Sequence, residues 1–150
     1  MLTVTVKSFD KLSIDELYDI LQLRSEVFVV EQNCVYQDVD GKDRKALHVI
    51  GSDEHGKIVA YIRLFNAGEY FENEASFGRV VVAKNARAFG YGHIIVKAAI
   101  AAIQEHYNTR NIKISAQTYL QKFYESHGFS QVGDGYLEDE IPHIAMTRNG

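Results

Sequence analysis

Six residues, Arg87-Ala88-Phe89-Gly90-Tyr91-Gly92, carry the strongest chemical signal in the chain. They follow the β-branched run Val80-Val81-Val82 and the link Ala83-Lys84-Asn85-Ala86. Apolar residues at helical spacing come next, at Ile95, Ala98, Ala99, Ala102 and Ile103. The pattern predicts a strand, a turn and a helix. A turn ending in glycines gathers backbone N–H groups at a helix N-terminus, where aligned peptide dipoles leave roughly half a positive charge. Phosphate or pyrophosphate is the group such a turn grips, and Arg87 can add charge-assisted hydrogen bonds to its oxygens. Ala88 fits there only in an αR-like conformation, because an L side chain is strained at positive φ.

Two commoner phosphate loops are excluded. There is no GxxxxGK[ST], and Gly90-Tyr91-Gly92 closes the turn instead of opening a GxGxxG run. What remains, RxxGxG after a Val-rich strand, resembles the acyl-CoA-binding turn of the GNAT N-acetyltransferase superfamily. A second motif follows in the family's order: Phe123-Tyr124-Glu125-Ser126-His127-Gly128-Phe129 is similar to its FY-x-x-x-GF pattern. Gln117 stands where the family often has an Asn that contacts the cofactor. The blocks Leu23 to Gln32 and Glu138 to Met146 look like those of the ElaA-like branch, so the resemblance covers nearly the whole chain.

The resemblance implies an acetyl-CoA-dependent N-acetyltransferase whose co-substrate lies between two splayed parallel strands, ending at Val82 and Ala116. Its pyrophosphate is expected on Arg87, Ala88, Phe89, Gly90, Tyr91 and Gly92, its pantetheine arm along the backbone of Val80, Val81 and Val82, and further contacts at Gln117, Phe123 and Tyr124. An amine attacks directly, and a backbone N–H can polarise the thioester carbonyl, worth about 3 to 4 kcal/mol of barrier. Tyr124 is the expected acid or hydrogen-bond donor to the departing CoA thiolate. With a phenol near pKa 10 and a thiol near 8.5, full transfer is uphill by about 2 kcal/mol in water, so Tyr124 needs either a lowered pKa or a purely hydrogen-bonding role. The acceptor, a small-molecule or peptide amine, must lose a proton before attack. Glu31, His48, Glu138, Asp139 and His143 are the candidate bases, with His143 and Glu138 preferred. Arg24, Glu31, Gln32, His48 and Asp139 are the expected acceptor contacts. For Arg24 a structural ion pair is the competing reading, and for His48 a satisfied structural histidine. The same fold also serves transfer of longer acyl groups and non-catalytic CoA or protein binding.

These residues need elements to position them. Thr3 to Phe9 alternates as a first strand. Ser13 and Glu16 form a capping box, so a helix begins at Ile14; its stripe of Ile14, Leu17, Tyr18, Leu21 and Phe28, widened by Ile20, Leu23 and Val27, predicts a largely buried helix. Val29 to Asp43 is read as an acidic loop with room for a short helix; its carboxylates, with Glu138 to Glu140, would favour a cationic acceptor, a solvated acidic loop being the default reading. Leu47 to Ser52 and Lys57 to Phe65 form a hairpin about Asp53-Glu54-His55-Gly56. The central strand, turn and helix end near Asn108. Asn111 to Ala116 is a strand and Thr118 to His127 a helix stopped by Gly128. Gly133-Asp134-Gly135 is read as a turn, and His143 to Thr147 as the last strand, entered through Pro142. The element order predicts an α/β (mixed α+β) fold of GNAT type, with a central, mostly antiparallel sheet of about seven strands and helices on both faces.

Composition sets the outer limits. A chain of 150 residues, 46% hydrophobic and 24% charged, suits one globular domain, residues 1–150. The net charge of −4, without basic runs, argues against nucleic acid as partner. With no long apolar segment and no basic-then-apolar leader, neither membrane insertion nor export is expected, and a cytoplasmic protein is the economical inference. Cys34 is the single cysteine and is expected as a buried or half-buried thiol. No metal is expected. A calcium loop at Asp38-Val39-Asp40-Gly41 would put Tyr36 at the first ligand position and Leu47 at the twelfth. Oligomeric state stays open, with a homodimer among the expectations.

Overall fold

A computed structural model covers Met1–Gly150. Strands β1 (Thr3–Ser8), β2 (Leu47–Ser52), β3 (Ile58–Phe65) and β4 (Ser76–Val82) form one antiparallel sheet in that order. Helix α1 (Ile14–Arg24) lies between β1 and β2, and α2 (Tyr91–Tyr107) follows β4. Strand β5 (Asn111–Gln117), the short helix α3 (Gln121–Glu125), β6 (Ser130–Glu138) and β7 (Ile141–Asn149) complete the chain, with β7 between β5 and β6 in a second antiparallel sheet. No helix is long and apolar enough to cross a membrane.

Alternation along the strands sends side chains to two cores. Ile50, Tyr61 and Val81 meet Ile20, Leu23 and Val27 on the α1 face. Val49, Ala60, Ile62 and Leu64 face α2, where Ile95, Val96, Ala99, Ala102 and Ile103 form the buried stripe. The small Ala positions let α2 lie close to the sheet, and truncating a fully buried residue such as Ile103 to Ala would cost about 2 to 5 kcal/mol.

Helix α1 begins where the capping box places it: Ser13 Oγ accepts from Glu16 N at 3.0 Å and Glu16 Oε1 accepts from Ser13 N at 2.8 Å. Its burial is narrower than expected, because only one stripe meets the sheet; Ile14 is 88% and Tyr18 70% exposed. Beyond Arg24 the helix widens into a π-helical segment, Ser25–Glu31, and hydrogen bonds from Gln32 N to Val27 O and from Cys34 N to Val29 O carry the five-residue spacing onward. The start of the acidic loop is therefore helical, in line with the short helix expected within it.

The expected single sheet divides between β4 and β5. These parallel strands join only at their starts, through the Ala75–Ile112 bridge, where Ala75 N donates to Asn111 O and Lys113 N to Ala75 O. Beyond that bridge the edge of β4 is unpaired, and the strands diverge. Gly133-Asp134-Gly135 does not reverse the chain. It lies inside β6 at a register irregularity between Val132 and Tyr136, and the reversal comes at Asp139-Glu140. Both turn residues have positive φ, 50° and 66°, the two-residue hairpin geometry that usually selects Asn-Gly. Strand β7 consequently starts at Ile141, with Pro142 paired to Leu137.

Candidate active site

The divergence of β4 and β5 opens a cleft, and strand alternation gives it two chemically different sides. Ile114 and Ala116 turn toward the α2 core with Phe77, Val80 and Tyr124, while Ser115 and Gln117 turn the other way. Val80, Gln117, Tyr124, Glu138, Asp139 and His143, all expected site residues, line this cleft together with Gln32.

At the open end of β4 the chain passes through Ala83 into a 3-10 turn, Lys84–Phe89, and then α2. Ala88 lies inside that turn with no positive φ, the one conformation in which it is unstrained. Gly90 has φ +73°, which explains glycine there. No side chain caps α2, so the N–H groups of Tyr91, Gly92 and His93 have neither a cap nor an intrahelical acceptor. An added Cβ at Gly92 would sit 3.6 Å from the Phe123 ring, an ordinary contact, so protein packing does not require glycine there.

Several of the residues expected to contact the cofactor have packing or ion-pair partners within the protein. Val81 is buried on the α1 face and Val82 is half-buried against the α2 core, so neither presents its side chain to the cleft. Tyr91 is buried against Val59 and Ala86, with Phe89 beside it at 5.5 Å between ring centroids. Phe123 packs between His93, 4.7 Å away, and Tyr124, bracing the turn against α3. Arg87 is not free for phosphate: its Nη1 and Nη2 donate to Glu31 at 2.6 and 2.9 Å and its Nε donates to Val82 O. Glu31, expected beside the acceptor, belongs to that ion pair and does not line the cleft.

Tyr124 is buried, packed on Phe77 and Phe129, and its hydroxyl makes no hydrogen bond to the protein. The hydroxyl is not among the enclosed polar atoms without partners, so it opens onto the cleft it lines. Burial pushes the phenol up from its ordinary value. Of the two expected options, burial works against a lowered pKa.

On the far side, His143 Nδ1 donates to Ile141 O at 2.7 Å, which directs Nε2 toward Glu138 Oε2 at 3.4 Å. The Gln32 and Gln117 side-chain amides face each other at 3.4 Å across the cleft. Cys34 is half-buried beside them, its Sγ 3.5 Å from Asp139 O.

Arg24 and His48 are corrected to structural roles. Arg24 is fully buried, with Nε donating to Asp38 at 2.9 Å and Nη1 to Asp43 at 2.8 Å. His48 is also buried, and burial lowers its pKa, so the ring is neutral. Its Nε2–H donates to Asp43 O and its Nδ1 accepts from the Tyr61 hydroxyl, leaving no lone pair for an acceptor amine. The Asp38–Asp43 carboxylates do not attract a cationic acceptor either, because they neutralise arginines. Arg63 donates to Asp40 at 2.6 and 2.9 Å and to Asp43 at 3.0 Å, and Arg79 lies 2.7 Å from Asp38. Burial opposes ionisation of Asp40 and Asp43, yet hydrogen bonds and charge from the arginines more than offset it and hold both carboxyls below the usual range.

Arg63 and Arg79 also line the cleft and were missed from sequence, although a lone arginine inside the apolar runs Ile58–Phe65 and Phe77–Val82 is a signal of a buried, paired charge. Arg79 takes φ +52° at the irregularity between β3 and β4, a strained conformation at the inner end of the cleft.

Comparison with known proteins agrees with this geometry. An acetyltransferase (GNAT) domain model matches residues 14–149. A UPF0039 protein of Synechocystis is 42% identical over 92% of this chain and 89% of its own length. The crystal structure of an acyl-CoA N-acyltransferase from Pseudomonas aeruginosa superimposes with TM-score 0.92 at 41% identity, covering 99% of each chain. That of Escherichia coli ElaA gives 0.91 at 36% identity, over 99% of this chain and 100% of its own.

Proposed function

The chain belongs to the GNAT acetyltransferase family, and on that premise we propose that it transfers an acetyl group from acetyl-CoA to an amine by direct attack. The two-sided cleft carries the reading: an unbonded, protonated Tyr124 hydroxyl on one side and the Glu138–His143 pair on the other. The uncapped amides at the start of α2 and the unpaired edge of β4 suit a diphosphate and an amide-bearing arm, the two hydrogen-bonding parts of an acyl-CoA.

An alkylamine of pKa about 10 arrives as ammonium and cannot attack until a proton is removed. Glu138 and His143 take that proton. The nitrogen lone pair then forms the C–N bond, the C–S bond breaks to a thiolate that Tyr124 steadies by hydrogen bonding, and the second N–H proton passes from nitrogen to sulfur, leaving a neutral amide and free CoA thiol. A buried phenol resists complete ionisation, but the same dry surroundings raise the thiolate's proton affinity, so the hydrogen bond strengthens as charge builds on sulfur. Arg87 reaches a phosphate only by leaving Glu31. A cytoplasmic location is part of this proposal, since acyl-CoA is an intracellular donor.

The test is release of free thiol from acetyl-CoA across a panel of primary amines, with product masses identifying the acyl group. The wild type is expected to turn over with at least one amine, and Tyr124→Phe to lose most of kcat with little change in binding. A wild type inert across the panel contradicts the proposal. A product carrying a longer acyl group would replace acetyl while keeping the mechanism.

A further inference from the structure

We propose that the hydrogen-bonded pair His93–His127 belongs to the donor site and takes up a proton when the diphosphate of acyl-CoA settles on the first turn of α2, an inference that rests on the acyl-CoA reading above. His93 Nδ1 and His127 Nε2 lie 2.9 Å apart. One of these nitrogens must carry a hydrogen and the other a lone pair, so a single N–H lies between the rings. His93 is exposed and His127 buried. The pair therefore has two states that keep the contact: a neutral one, and a singly charged one in which His93 Nδ1–H donates to His127 and His93 Nε2–H is left to solvent. A second charge would break the contact, because both facing nitrogens would then donate.

The pair sits against the amides that suit the diphosphate. His93 supplies one of those amides itself, and covalent geometry keeps its Nδ1 within about 5 Å of its own backbone nitrogen. A phosphate oxygen bonded to that N–H lies about 3 Å further on, so the imidazolium charge stands within about 8 Å of it, one screening length at physiological salt. Phe123 ties both rings to this turn. Its centroid is 4.7 Å from that of His93 and 5.2 Å from that of His127, and a Cβ at Gly92 would lie 3.6 Å from its ring.

Without the donor, the surroundings favour the neutral pair. Lys97 lies one turn beyond His93 on α2, Arg148 of β7 donates through Nε to His127 O at 2.9 Å, and the positive end of the α2 dipole is at His93. Burial, His93 and these two cations hold the His127 imidazole below its ordinary pKa. No carboxylate offsets them. From α3, Glu125 bonds to Gln121, and neither Glu125 nor Lys122 makes a hydrogen bond or ion pair with either imidazole. A diphosphate brings two negative charges to this end of α2 and reverses the balance, so the pair accepts a proton from water or buffer. Because the linkage is reciprocal, affinity for the donor rises as pH falls.

The test is calorimetric titration with dephospho-CoA, which keeps the diphosphate but lacks the phosphate monoester that itself titrates near pH 6. Runs in two buffers of different ionisation enthalpy give the protons taken up on binding between pH 5.5 and 8. The wild type is expected to take up a fraction of a proton near pH 6 and to bind about threefold tighter at pH 5.5 than at pH 8. His93→Gln and His127→Gln keep a hydrogen-bonding side chain that cannot titrate, and each is expected to lose most of the uptake and of the pH dependence. His93 is exposed, so its variant decides the matter even where His127→Gln fails to fold. Uptake by His93→Gln equal to that of the wild type, no uptake by the wild type, or binding of acetyl-CoA without binding of dephospho-CoA overturns the proposal and leaves acyl transfer, read by thiol release, standing. A wild type that binds neither ligand overturns both.

Discussion

Asp43→Asn should destabilise the fold by about 3 kcal/mol or more, because it removes one charge from a buried, balanced set. Asp43 Oδ1 accepts from Arg24 at 2.8 Å and from Arg63 at 3.0 Å, and both guanidiniums are essentially inaccessible. Two buried arginines, Arg24 and Arg63, and the half-buried Arg79 are matched by Asp38, Asp40 and Asp43, so the neutral amide leaves one positive charge uncompensated beside two guanidiniums that water hardly reaches. For a chain of this size such a loss corresponds to a fall in Tm of roughly 10 °C. Urea and thermal unfolding by circular dichroism measure it, with exposed Asp19→Asn as control. The pH dependence supplies a second reading. The folded-state carboxyl of Asp43 is held below its unfolded value of about 3.9. Its contribution is therefore whole above about pH 4 and drains as pH falls through the lower folded value, so the variant's stability should change less with pH in that acid range. A loss under about 1 kcal/mol, or an unchanged acid profile, would refute the charge-balance reasoning.

Glu140→Gly should stabilise the protein by about 1 kcal/mol, since an exposed glutamate at φ 66° carries strain that glycine does not; thermal unfolding checks it, and destabilisation would mean that the side chain contributes something unseen in the turn. Arg87→Ala should weaken CoA binding about tenfold or more by calorimetry, through loss of a charge-assisted hydrogen bond. Glu31→Gln should tighten it by freeing Arg87, at little cost in stability because the pair is partly exposed. Weaker CoA binding by Glu31→Gln would show instead that the ion pair holds the turn in its binding shape.

What was legible in the sequence was local. The run from Val80 to Gly92 reads as strand, turn and helix by spacing, and those elements stand where the spacing puts them, whereas the block Phe123 to Phe129 stood out by its resemblance to a family motif. The network around Arg24 was not legible, because Asp38 and Asp43 lie 14 and 19 residues away and nothing local marks them as its partners. An acidic loop with solvated carboxylates and one that neutralises buried arginines have the same composition. The opening between β4 and β5 was expected from the family resemblance alone: periodicity tells which face a side chain takes, as Ile112 and Ile114 show, but not which backbone edge stays unpaired. Gly133-Asp134-Gly135 misled because glycines suit a bulge as well as a turn, whereas the true reversal uses Asp139-Glu140, residues that local preference disfavours at positive φ.

A crystal structure of the protein with bound acetyl-CoA tests the central claim most directly. The account predicts the diphosphate on the amides of Tyr91, Gly92 and His93, the thioester in the cleft between β4 and β5, and the Tyr124 hydroxyl within hydrogen-bonding distance of sulfur. A ligand bound elsewhere, or a Tyr124 hydroxyl directed away from the sulfur, would contradict it.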